Sequence, residues 1–166
     1  MVAPRVSVVM AVHDGERYVG AAVDSILTQK FRDLELIVVD DGSTDRSPEI
    51  VREHADPRVR LIANGRNLGL APSLNVGLAE ARGEFVARLD ADDVAMPHRL
   101  ARQVEFMDAN PHVEARLTGK GTHRAGCGAS STVRAPYGEM GVRVPHARAP
   151  QGGSLRAFGK GEISSP

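Results

Sequence analysis

Apolar positions along the first two thirds of the chain follow two alternating rhythms. Val6-Ser7-Val8-Val9-Met10-Ala11-Val12 is a compact run rich in β-branched residues, the form a parallel strand takes when both its faces are covered. It stops at His13-Asp14-Gly15. From Glu16 the period changes, and Val19, Ala22, Val23, Ile26 and Leu27 recur at spacings of three and four, which predicts a helix with one apolar stripe. Leu34-Glu35-Leu36-Ile37-Val38-Val39 predicts a second buried strand. It ends in Asp40-Asp41-Gly42-Ser43-Thr44-Asp45, where Gly, Ser and Thr supply turn and capping chemistry for a helix running to about His54.

Arg58-Val59-Arg60-Leu61-Ile62 reads as a third, more polar strand, and its polarity puts it near a sheet edge. After the turn-rich Asn64-Gly65-Arg66-Asn67, the residues Leu70, Leu74, Gly77, Leu78 and Ala81 line one face of a third helix. Pro72 fits only in its first turn, where no amide hydrogen is needed. Glu84-Phe85-Val86-Ala87-Arg88-Leu89 predicts a fourth strand that delivers Asp90-Ala91-Asp92-Asp93 to its carboxyl end. A fourth helix starts at Pro97, carries Leu100, Val104 and Met107 on its inner face, and stops at Asn110-Pro111.

Four strand–helix repeats imply an α/β fold with a parallel, Rossmann-like three-layer sheet, in which ligands gather at the carboxyl ends of the strands. His13-Asp14, Asp40-Asp41 and Asp90 to Asp93 all fall at such ends. Three carboxylates within four positions repel one another, and a cation offsets that repulsion. A solvated acidic turn capping the next helix is the plainer account of the same residues. Neither GxGxxG nor GxxxxGK[ST] follows the first strand, so phosphates would be held by a metal or by basic side chains.

The pattern breaks after Val113. Ile, Leu, Val, Met and Phe fill 37 of the first 113 positions and 8 of the last 53, while Gly rises from 7 to 10. That predicts residues 1–113 as the domain and 114–166 as a Gly-, Arg- and Ala-rich tail, with loops or disorder from about residue 119. Within it, Ala115 to Thr118 could continue as a fifth strand and Val142-Arg143-Val144 could pair as an edge strand. The abrupt change suggests that the reading frame is damaged near residue 114, leaving the sheet truncated; a native basic extension is the alternative.

Charge follows the same division. Residues 1–113 carry 13 Lys/Arg against 18 Asp/Glu, and residues 114–166 carry 8 against 3. An acidic front half argues against nucleic acid as a ligand, while the basic tail is compatible with peripheral association with a membrane surface. Cys127 is the only cysteine, which excludes an intrachain disulfide and fits a reducing, cytoplasmic setting. No apolar run is long enough to span a bilayer.

The segments Val6-Ser7-Val8-Val9-Met10, Val38-Val39-Asp40-Asp41-Gly42-Ser43-Thr44-Asp45, Asn67-Leu68-Gly69, Asn75-Val76-Gly77-Leu78 and Leu89-Asp90-Ala91-Asp92-Asp93 together closely resemble the amino-terminal part of glycosyltransferase family 2, over residues 6 to 113. The resemblance implies a GT-A fold and metal-dependent sugar transfer, with inversion, from a UDP-, GDP- or dTDP-type nucleotide-diphospho-sugar to a glycan, lipid or other acceptor. It implies that Ala11, Val12 and His13 lie against the base, that Asp41 bonds the base edge, and that Glu16 lies near the nucleotide. Asp90, with Ala91 beside it, would face the ribose, and Asp92 would coordinate Mg²⁺ or Mn²⁺ through the diphosphate. The family's carboxylate base lies beyond the break, and Glu139 does not match its motif, so no catalytic residue is assigned. A non-catalytic nucleotide-sugar-binding remnant and a metal-dependent nucleotidyltransferase are the competing functions.

Overall fold

The computed structural model describes residues 3–111, together with two short strands farther along the chain. The elements alternate as the hydrophobic rhythm requires: β1 (Val6–Val12), α1 (Val19–Leu27), β2 (Leu34–Asp40), α2 (Ser47–Glu53), β3 (Val59–Ala63), α3 (Leu70–Glu80), β4 (Phe85–Arg88) and α4 (Arg99–Ala109). The two further strands are β5 (Ala115–Arg116) and β6 (Gly141–Arg143). The sheet order is β3-β2-β1-β4-β6-β5, with the first four strands parallel. The polar β3 lies at one edge, as expected.

Period-two alternation sorts the side chains of β1 between two unlike faces. Val6, Val8, Met10 and Val12 join Leu36, Val38, Phe85, Ala87 and Leu89 in the main core. Ala22, Val23 and Ile26 of α1 and Leu100, Val104 and Met107 of α4 cover that face. Each large side chain buried here is worth about 1.5–3 kcal/mol in transfer free energy. The stripes predicted for these two helices are the ones that pack.

The opposite face belongs to α3, which approaches more closely. A Cβ on Gly77 would sit 2.4 Å from Val9 Cγ1 and 3.2 Å from Val39 Cγ2, so only glycine permits this approach. Ser73 and Gly77 are the buried residues of the helix, whereas Leu70, assigned to the inner face from its spacing, is exposed. A helix lying this near a sheet presents its smallest side chains inward. On the same face Glu35 is 6% exposed and accepts hydrogen bonds from Ser7 Oγ (2.7 Å), the Arg82 amide (2.9 Å) and Arg60 Nη1 (3.3 Å). This internal pairing accounts for a carboxylate within a strand.

The boundary residues depart from expectation in instructive ways. α1 begins at Val19 rather than Glu16, because residues 16–18 form a turn on the Gly15 carbonyl, which accepts from the Tyr18 and Val19 amides. The Asp45 carboxylate, rather than Gly, Ser or Thr, receives the first α2 amide, Ser47 N, at 2.9 Å. β6 is not an edge strand: it pairs antiparallel with β4 on one side and with β5 on the other, so β5 forms the edge. The expectation of loops or disorder from residue 119 falls, apart from β6, outside the described residues.

Because β1 is flanked by β2 and β4, while α1 and α3 pack on opposite faces, the chain reverses its winding between β1 and β4. A crevice opens at the carboxyl ends of such a pair. Here β4 leaves the ladder at Leu89, whose amide still donates to the Val9 carbonyl (3.1 Å), while β1 continues to Val12.

Candidate functional site

Three loops meet at this end of the sheet, and hydrogen bonds tie two of them together. The Thr44 amide donates to Asp14 Oδ1 (2.7 Å), the Gly15 amide to Ser47 Oγ (2.8 Å) and the Glu16 amide to Asp45 Oδ2 (2.9 Å). Glu16 Oε2 in turn accepts from the Arg46 amide at 3.1 Å. The loop after β1 is therefore fixed to the loop after β2. Hydrogen bonds to its carboxylate, led by that from Thr44, hold Asp14 below the usual aspartate range. Its φ of 48° places Asp14 in a left-handed conformation that aspartate tolerates better than most residues.

His13 is exposed at the tip of β1, and its Nδ1 lies 3.0 Å from the Asp41 carbonyl. A carbonyl only accepts, so Nδ1 carries the hydrogen and the imidazole is held at one edge. Ala11 is partly exposed on the α3 face. Val12 turns the other way: its side chain is 3% exposed within the main core, and its carbonyl accepts the Asp41 amide (2.8 Å). Of the three residues expected against a base, Ala11 and His13 thus reach the surface and Val12 backs them.

Asp41 is 4% exposed. Its Oδ1 accepts from Asn64 Nδ2 (2.9 Å) and the Leu68 amide (2.8 Å), and its Oδ2 from the Gly69 amide (2.8 Å). Burial pushes the carboxyl upward, but donors from Leu68, Asn64, Ser73 and Gly69 outweigh it and hold the pKa at about 2. Three of roughly four acceptor positions are thus filled by the connection between β3 and α3. Gly42 allows that connection to pass close by: its φ is 72°, and a Cβ there would lie 2.6 Å from the Arg66 backbone.

The loop after β4 is more open. The Asp93 amide donates to the Asp90 carbonyl (3.1 Å), turning the chain, and the Ala95 amide donates to Ser25 Oγ (3.0 Å), anchoring the loop on α1. Asp90 Oδ1 receives Arg88 Nε (3.0 Å) and Nη2 (2.5 Å). Ala91 is half-buried. Asp92 and Asp93 are exposed, and among the described residues neither carboxylate has a hydrogen-bonding or ionic partner. No set of three or more His, Cys, Asp or Glu side chains among those residues converges on one point. A cation here would therefore complete its coordination with oxygens from solvent or a bound ligand, as Mg²⁺ commonly does on phosphates.

Two contributors escaped the reading of the sequence. Asn64 appeared as turn composition, and nothing local links it to an aspartate 23 positions earlier. Arg88 was more accessible, since residues i and i+2 of a strand share a face and it stands two positions before Asp90.

A family model described as "Glycosyl transferase family 2" matches residues 7–140. The chain belongs to glycosyltransferase family 2. EpsE of Bacillus subtilis (strain 168) is 40% identical over 119 residues, covering 70% of this chain and 43% of EpsE. The mannosyltransferase PcManGT of Pyrobaculum calidifontis, solved with GDP-Man and Mn²⁺, superposes with a TM-score of 0.66 at 31% identity, over 73% of this chain and 37% of that one. S. aureus TarS 1-349 in complex with UDP-GlcNAc gives 0.66 at 30% identity, over 76% and 37%. The expected GT-A-type α/β fold is borne out, and this family 2 chain spans less than half the length of these three matches. The family match continues past residue 113, where the composition changes.

Proposed function

We propose that this chain forms the donor site of a metal-dependent family 2 glycosyltransferase. Such an enzyme passes a sugar from a UDP-, GDP- or dTDP-type nucleotide-diphospho-sugar to a glycan, lipid or other acceptor, with inversion at the anomeric carbon. The observation that carries this reading is the contrast around the crevice: among the described residues, every carboxylate on the rim has an internal partner except Asp92 and Asp93. Complexes of similar proteins with GDP-Man and Mn²⁺, with UDP-GlcNAc and with UDP support it.

In this reading the base lies against Ala11 and the His13 ring, whose orientation the Asp41 carbonyl fixes. Asp41 frames the base edge, chiefly by shaping the Asn64–Gly69 connection, and Glu16 braces the rim. Asp90 accepts a ribose hydroxyl, with Ala91 leaving space beside it. Asp92, a hard oxygen donor open to solvent, would hold Mg²⁺ or Mn²⁺ against the diphosphate. When bound, the ion supplies positive charge at the departing diphosphate. The acceptor, and the carboxylate that takes its proton, are left to parts of the enzyme beyond residues 1–113. No helix among the described residues is long and apolar enough to cross a membrane. The single cysteine supports a reducing, cytoplasmic setting.

Titrating the 166-residue chain with UDP, GDP and dTDP sugars, with and without Mn²⁺, tests the donor site. Binding that the metal strengthens is expected, and failure of all three donors to bind in its presence refutes the reading. Transfer to glycan or lipid-phosphate acceptors then separates an enzyme from a binding remnant.

A further inference from the structure

We infer that Arg88 is a positioning residue, which fixes the Asp90 carboxylate with one oxygen engaged and the other presented to the nucleotide's ribose. This rests on the proposed role of Asp90 and goes beyond it by assigning the group that makes the role workable. Arg88 is the last residue of β4, paired across the ladder with Val9. Its side chain and that of Asp90 are about equally accessible, at 31% and 30%. Both of its bonds, from Nε and Nη2, go to Oδ1. Among the described residues Oδ2 receives none.

That asymmetry matters chemically. A bidentate guanidinium–carboxylate pair ordinarily uses both oxygens and leaves little acceptor capacity. With both donors on Oδ1, the carboxylate is held against rotation while Oδ2 keeps its lone pairs for a hydroxyl. The main chain that carries Arg88 is itself anchored, because Arg99 Nη2 of α4 donates to the Arg88 backbone carbonyl at 2.6 Å. Charge supplies a second effect. Asp90, Asp92 and Asp93 lie within four positions, and a fixed arginine beside Asp90 neutralises that one member. Asp90 is thereby biased toward a neutral hydroxyl, leaving Asp92 as the carboxylate that meets a cation.

The test compares affinity for UDP and GDP with affinity for their 2′,3′-dideoxy analogues in Mn²⁺, using wild type, Arg88→Ala, Arg88→Lys and Asp90→Ala. Folding is checked by circular dichroism and thermal melting. Wild type should prefer the ribonucleotide by about tenfold, the order of one hydrogen bond to a charged group. Asp90→Ala should abolish the preference, Arg88→Ala should cut it below about threefold, and Arg88→Lys should restore part of it. A merely structural arginine would weaken both nucleotides equally and leave the ratio intact. A wild-type ratio in Arg88→Ala, with its loss in Asp90→Ala, overturns the assignment of Arg88 alone. A ratio unchanged in both variants, or absent from wild type, overturns the role of Asp90 as well. If Arg88→Ala does not fold, Arg88→Gln reads the same ratio.

Discussion

Two carboxylate regions lie at the same end of one sheet and differ in what they are paired with. Asp41, just beyond β2, is 4% exposed and receives three hydrogen bonds from residues 23 to 28 positions away. Asp92, in the turn after β4, is exposed and has no partner among the described residues. The residue type is the same, and both lie beyond strands that a ligand would meet. The difference shows that a carboxylate's place in a fold does not settle its work; the count of acceptor positions already used does. Asp41 is committed to holding the chain, whereas Asp92 is available to something outside it.

The sharpest way to break this comparison is to remove Asp41. Asp41→Ala leaves the Leu68 amide without its acceptor and takes one of two acceptors from Asn64 Nδ2, which keeps Ser73 Oγ, and from the Gly69 amide, which keeps Asn67 Oδ1. Stability should therefore fall by about 1–3 kcal/mol, read by urea unfolding. Asp92→Ala should leave stability within about 0.5 kcal/mol of wild type, because it removes an exposed, unpaired charge. Equal losses in the two variants would erase the distinction between the regions.

Acid provides a finer probe. The folded pKa of Asp41, about 2, lies below its ordinary value of 3.8, so its contribution is complete above that value and is lost as pH falls through about 2. Asp41→Asn lacks this term. The stability difference between it and wild type should therefore be widest above about pH 4 and narrow toward pH 2 in denaturation curves. A gap that widens on acidification contradicts the charge-based account. Glu16→Gln should have the smallest effect, within about 0.5 kcal/mol, since an amide oxygen can still accept from Arg46 at this exposed site.

The comparison also marks what the sequence discloses. Apolar periodicity located β1, β2 and β4 and the inner stripes of α1 and α4, because burial against a sheet imposes a rhythm on neighbouring residues. It misplaced Leu70, because α3 packs through Gly77 and Ser73, and close approach selects small residues that carry little hydrophobic signal. The acidic strand ends were visible as composition, and the family resemblance attached chemistry to them. What remained hidden was how each carboxylate is paired. Asp41 finds Asn64 and Gly69, and Glu16 finds Arg46, through contacts between loops that lie far apart in the chain. No local pattern encodes such partners, so the divide between a structural and an available aspartate appears only when the loops are brought together.

The central claim is that Asp92 is the open carboxylate through which a divalent ion meets a nucleotide diphosphate. Isothermal titration of UDP and GDP into wild type and Asp92→Ala, each with and without Mn²⁺, tests it most directly. The account predicts that Mn²⁺ strengthens wild-type binding at least about tenfold and that Asp92→Ala loses that gain while keeping its metal-free affinity. A variant that retains the full Mn²⁺-dependent gain would contradict it.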